Sequence, residues 1–183
     1  KLKESSTLVI NEKSKELINQ GKKVYQFGFG QSPFPVPAKI VEALKNNAHR
    51  KEYLPIQGLS KLREAISGYL QNKTGNNYPK ENILITPGSK EAMLLMHIAF
   101  NGEIIIPAPG WVSYEPQAQI GSNKVHWLET SKANNWFPTA DEFEKKIKKI
   151  GKKKNLIFIL NSPNNPSGAV CKNLKELAKV VRK

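Results

Sequence analysis

Three short stretches hold residue types that can do chemistry. Asn161-Ser162-Pro163-Asn164-Asn165-Pro166-Ser167-Gly168 follows the apolar run Leu156 to Leu160, so a strand-like segment empties into a polar, stiff turn. Pro163 and Pro166 fix φ, and both X-Pro bonds have access to the cis form, which lets the amides of Asn161, Asn164 and Asn165 be aimed. Gly88-Ser89-Lys90-Glu91 opens an apolar helical pattern. A Gly-Ser helix start presents unpaired backbone N–H groups at the positive end of the helix dipole, and the two together bind phosphate well. Trp111, within Pro107-Ala108-Pro109-Gly110-Trp111-Val112-Ser113-Tyr114, follows a second apolar run and offers a stacking face to a planar ligand. Each stretch also has a plain structural use: a polar turn, a Ser-capped core helix, an aromatic plug for the core.

The flanking patterns predict the elements that hold these stretches. Residues 1–22 are polar and loosely helical up to Gly21, followed by the short aromatic segment from Val24 to Gly30. Alternate prolines at 33, 35 and 37 demand an extended path until Pro37 opens a helix with Ile40, Ala43, Leu44 and Asn47 along one face. Ser60 is the expected cap of the next helix, whose buried stripe is Leu62, Ile66, Tyr69 and Leu70. The run from Ala92 to Phe100 is apolar almost all round, which predicts a buried helix. Thr139 and Glu142 have capping-box spacing before a stripe of Phe143, Ile147 and Ile150, and Leu174, Leu177, Ala178 and Val181 mark a last amphipathic helix.

Strand patterns at Ile83–Thr86, Glu103–Ile106, Lys124–Leu128 and Leu156–Leu160 alternate with those helices. The expected fold class is α/β, a mostly parallel sheet flanked by helices. Ligands in such sheets collect beyond the carboxyl ends of the strands. Three of the four strand runs end in rigid Pro or Gly turns, so one rim is expected to carry the site.

Composition narrows the function classes. With 183 residues, 39% of them hydrophobic, the chain can build a sizeable core and is not disordered by composition. Its formal net charge of +14 attracts anions of any size. Much of that excess lies in Lys145, Lys146, Lys148, Lys149, Lys152, Lys153 and Lys154, a run that reads as a solvated helix face. Without aromatic interleaving or arginine forks it argues against nucleic acid. Cys171 is alone and the histidines 49, 97 and 126 are scattered, so neither an internal disulfide nor a metal site is expected. No stretch has the length of a membrane span and no signal-peptide pattern opens the chain, which makes the cytoplasm the default location. The chain opens at Lys1 and closes at Lys183 inside a helical pattern, as expected of a piece of something longer.

Four motifs in register resemble the class I/II aminotransferases, the aspartate aminotransferase-like family of fold type I pyridoxal-phosphate enzymes. They are Tyr53-Leu54-Pro55-Ile56-Gln57-Gly58-Leu59 with Leu62-Arg63-Glu64-Ala65, Thr86-Pro87-Gly88-Ser89-Lys90-Glu91-Ala92, Pro109-Gly110-Trp111-Val112-Ser113-Tyr114, and Asn161 to Gly168. The likeness runs from about Phe27 to the end. It implies residues 1–35 as an N-terminal arm and the start of a small-domain segment, with 36–183 as part of the large cofactor domain. It also implies pyridoxal 5'-phosphate as cofactor, with Gly88, Ser89 and Lys90 holding the phosphate chiefly through backbone N–H groups. Trp111 would stack on the pyridine ring and Asn165 would hydrogen-bond the phenolic oxygen. Gly30 would face the substrate carboxylate, where Gly permits close approach. Tyr53 would reach the phosphate of a neighbouring subunit, which makes a homodimer the expected assembly.

The implied reaction is transfer of an amino group from an amino acid to a 2-oxo acid. The family's Schiff-base lysine, its aspartate for the ring nitrogen, a tyrosine near the phenolic oxygen and its carboxylate-binding arginine are all expected beyond Lys183. No catalytic residue is therefore assigned in this chain, which alone is expected to be inactive, and its partial sheet to expose edges that invite aggregation. Gln31-Ser32-Pro33 replaces the acidic Gly-Glu-Pro-Asp type of sequence common in the family, leaving substrate choice open. The alternative is a non-catalytic product that binds a phosphate ligand or a complementary chain.

Overall fold

The computed structural model describes residues 6–28, 30, 32–151 and 155–183. Phe29, Gln31 and three of the run's lysines, Lys152, Lys153 and Lys154, fall outside them. The chain divides into two compact units, Lys1–Ile85 and Thr86–Lys183.

The first unit is helical, with α1 (Ser6–Asn19), α2 (Ala38–Asn47) and α3 (Ser60–Thr74). Gly21, with φ +74°, follows α1 where the sequence placed its end. Pro37 stands at the N-cap of α2 and its carbonyl accepts from the Ile40 and Val41 amides. Three expectations fail here. Ser60 lies inside α3 and makes no cap bond, the N-cap being Leu59. The stripe on α3 is not buried: Leu62 and Tyr69 are exposed, and the buried residue is Arg63, which donates from Nη1 to Gln57 Oε1 and to the Lys80 carbonyl, both at 3.0 Å. Ile83–Thr86 is not a strand; Ile85 N–H donates to the Gln57 carbonyl at 3.0 Å, and no ladder follows. A run with strand composition stays irregular when no neighbouring backbone is in register to pair with it.

The second unit is α/β. Its helices are α4 (Ser89–Ala99), α5 (Tyr114–Ile120), α6 (Ala140–Ile150) and α7 (Leu174–Val181), and its strands β1 (Glu103–Ala108), β2 (Lys124–Glu129) and β3 (Leu156–Phe158). The sheet runs β2-β1-β3, all parallel, with Ile105 opposite His126 on one side and Phe158 on the other. Central β1 is apolar from Ile104 to Ala108 because both its faces are covered. Side chains alternate across a strand, so Ile104 and Ile106 pack with Tyr114 and Ala118 on one face. Ile105 packs with Leu128, Phe143, Leu177 and Val180 on the other.

Thr139 and Glu142 form the expected capping box. Phe143 is buried beneath α6, its ring centroid 4.2 Å from that of Phe158. Two details differ from expectation. The buried residues of α7 are Leu177 and Val180, whereas Leu174 and Val181 are exposed. On α4, Met93 packs on the sheet cluster while Leu95, Met96 and Ile98 stay exposed, because the unit covers only one side of that helix.

Candidate functional site

Parallel strands carry their following turns to one rim, and two of the three chemically promising stretches lie at the carboxyl ends of neighbouring strands β1 and β3. Their contact is direct: buried Asn164 donates from Nδ2 to the Pro109 carbonyl at 3.2 Å and to Ser167 Oγ at 2.8 Å. Asn161 Oδ1 accepts the Asn165 amide at 2.8 Å. Asn161 and Asn164 thus shape the turn, which holds cis bonds at Ser162-Pro163 and Asn165-Pro166, with a third at Ala108-Pro109. Asn165 is exposed and its side-chain amide has no hydrogen bond among the described residues. Of the turn's three asparagines it alone has neither end of its side-chain amide engaged among the described residues.

The start of α4 is equally open. Gly88 is its N-cap, with φ +124° and ψ 162°, a conformation that side chains rarely tolerate, and a Cβ there would meet nothing within 4 Å. The first helical bond runs from Ala92 N–H to the Gly88 carbonyl at 3.2 Å, so the amides of Ser89, Lys90 and Glu91 precede it without helical acceptors. Ser89 is the first helical residue, not a cap, and Gly88, Ser89 and Lys90 are all exposed. The Ser-capped core helix is therefore not what this sequence builds, and the open helix start suits an anion.

Trp111 joins these two features. Lys90 Nζ stands 5.6 Å from its ring centroid, and Tyr114 meets it edge to face with centroids 5.5 Å apart at 84°. Trp111 is half-buried against the cluster of Ile104 and Ile106. Burial holds the Tyr114 hydroxyl above its ordinary pKa. Gln117, which sequence reasoning missed, is buried on α5 and donates from Nε2 to the Lys90 carbonyl at 2.7 Å. A glutamine that finds a carbonyl 27 residues away leaves no local pattern to read.

Tyr53 and Gly30 belong to the first unit. Tyr53 is fully exposed in the loop before α3, and Gly30 is exposed with nothing within 4 Å of the position its Cβ would take. A cavity of about 450 Å³ opens at the amino ends of β1 and β2, lined by Glu103, Lys124, His126, Lys146, Lys149 and Ile150. It contains none of the residues singled out above. His126 Nε2 and Glu103 Oε2 pair there at 2.5 Å. Among the described residues no group of three or more His, Cys, Asp or Glu could hold a metal.

A family model for aminotransferase class I and II matches residues 22–183. The chain belongs to that family. It is 30% identical over 186 residues to the aspartate aminotransferase of Thermotoga maritima, covering 98% of this chain and 48% of that protein. It is 33% identical over 182 residues to the aspartate aminotransferase of Pyrococcus horikoshii, covering 95% and 45%. The solved aspartate aminotransferase from Thermus thermophilus with maleate superposes with a TM-score of 0.87 at 28% identity, covering 99% of this chain and 48% of that one. The chain spans about half the length of the curated relatives it matches, and its sheet and helices are those of the aminotransferase fold type I.

Proposed function

We propose that the complete protein is a pyridoxal-phosphate-dependent aminotransferase that moves an amino group from an amino acid to a 2-oxo acid. On this reading residues 1–35 form an arm and the start of the small domain, and 36–183 part of the large cofactor domain. The observation that carries it is the junction of Lys90 and Trp111, which sets an open helix start beside an aromatic face on the carboxyl rim.

The residues fit the group. The helix-start amides of Ser89 and Lys90, with Gly88 leaving room beside them, would hold the phosphate. Trp111 would cover the pyridine ring, and the free amide of Asn165 would donate to the phenolic oxygen and favour its ionised form. Lys90 would act through its N–H, its ammonium leaving the ring face; an exposed cation–π contact is worth only about 0.5–1 kcal/mol, so displacing it is cheap. Bound pyridoxal phosphate supplies an electron sink for the substrate's Cα, while the protein orients and tunes it. No catalytic side chain is assigned among residues 1–183; the chain's part is to bind and orient.

Gly30 would face the substrate carboxylate. Tyr53, fully exposed, would reach the partner's phosphate in a homodimer. A cytoplasmic location completes the reading; no described helix is long and apolar enough to cross a membrane. Relatives named for aspartate make it the first donor to test. Incubating the complete protein with pyridoxal phosphate, aspartate and a set of 2-oxo acids should give the matching new amino acids. Cofactor uptake without transfer from any of the common amino acids would favour a non-catalytic binding role, and absence of both would sink the proposal.

A further inference from the structure

Gln117 is buried, yet it lies in neither a hydrophobic cluster nor an ion pair. Its Nε2 donates to the Lys90 carbonyl at 2.7 Å, and its Oε1 is buried without a partner among the described residues. An orphaned buried amide oxygen is costly, so the side chain is held at a price by the bond its other end makes. The Lys90 carbonyl shares a rigid planar peptide with the Glu91 N–H. In a helix the N–H of that peptide points the opposite way from its carbonyl, toward the helix start, where the amides precede the first helical bond at Ala92. A donor fixed to the carbonyl sets the tilt of this peptide and polarises its N–H, because hydrogen bonds in a chain strengthen one another. Gln117 also lies on α5, which begins at Tyr114, three residues after Trp111. One buried amide thus ties the open helix start to the segment carrying the aromatic face.

We propose that Gln117 is a positioning residue for anion binding, holding the Lys90–Glu91 peptide so that the helix start meets a phosphate group while Trp111 covers the attached ring. This rests on the aminotransferase reading. In the test, the complete protein and its Gln117→Met variant, which keeps length and packing but loses the donor, are titrated with pyridoxal phosphate and with pyridoxal. The variant is expected to bind pyridoxal phosphate about tenfold more weakly and pyridoxal equally well. Equal weakening toward both ligands, or none, overturns the inference. An unsubstituted protein with no preference for pyridoxal phosphate overturns the parent reading as well, whereas a preference retained in the variant overturns this inference alone. Should the variant not fold, nitrogen-15 NMR of the unsubstituted protein decides: inorganic phosphate is expected to shift the Gln117 side-chain amide signals, and unmoved signals at saturation overturn the proposal.

Discussion

The two units are built on opposite terms. Among the described residues every buried apolar side chain belongs to the second unit, from Ile104 to Val180, while the one buried residue of the first is the cation Arg63. Helices α2 and α3 are amphipathic in sequence, yet Leu44 is 72% exposed and Tyr69 57%. Amphipathic patterning states that a face seeks cover, not that cover is present in the same unit. The second unit meets that demand with a three-stranded sheet whose central strand is covered on both faces, and it also carries the rim where Asn164 ties the two strand-end turns together and Lys90 stands over Trp111. Rigidity where the candidate site lies is what holding a ligand requires, because a first layer of contacts is only as well placed as the core beneath it.

The sharpest way to break this contrast is a matched pair of truncations. Phe143→Ala removes a ring packed against Phe158 and should cost about 3–5 kcal/mol in a chemical-denaturation curve, whereas Leu44→Ala should fall within about 0.5 kcal/mol. Similar losses would show that the first unit has a core of its own. Next in size is Arg63→Ala, which strips donors from Gln57 Oε1 and the Lys80 carbonyl and should cost about 1–3 kcal/mol. Amide exchange should then accelerate at Ile85, whose N–H depends on Gln57 staying in place; unaltered exchange would show that Arg63 does not organise that loop.

A weaker lever is pH. Burial holds the His97 imidazole below its ordinary range, with Asn123 opposing the shift. The unfolded chain therefore binds that proton more readily, so stability is full above the usual imidazole pKa of about 6.5 and is lost as pH falls through the lowered value. Thermal melts between pH 7 and 5 should show the decline, and His97→Gln should flatten it; an identical slope in the variant would assign the effect elsewhere.

How much of this was legible in the sequence depended on the range of each interaction. Local devices read correctly: the Thr139–Glu142 box, the end of α1 near Gly21, and strands β1 and β2. Features requiring a distant partner did not. Ile83–Thr86 has strand composition but no neighbour in register, the α3 stripe has no cover within its unit, and Arg63 and Gln117 find carbonyls 17 and 27 residues away. The candidate site was legible as three separate stretches, each with a structural alternative. The two strand-end turns meet through the register of β1 and β3 and through Asn164 reaching Pro109, and the helix start meets them through Lys90 at Trp111, which no single stretch encodes.

The central claim, that free backbone amides at the start of α4 hold a phosphate, is tested most directly by comparing Ser89→Pro with Ser89→Ala in the complete protein. Proline is tolerated at a first helical position and removes one N–H while leaving the helix intact; alanine removes only the hydroxyl. Losing a hydrogen bond to a charged group costs about 1.5–3 kcal/mol, so Ser89→Pro should bind pyridoxal phosphate at least tenfold more weakly than Ser89→Ala, with pyridoxal binding equal in the two. Equal affinity of both variants for pyridoxal phosphate would contradict the account.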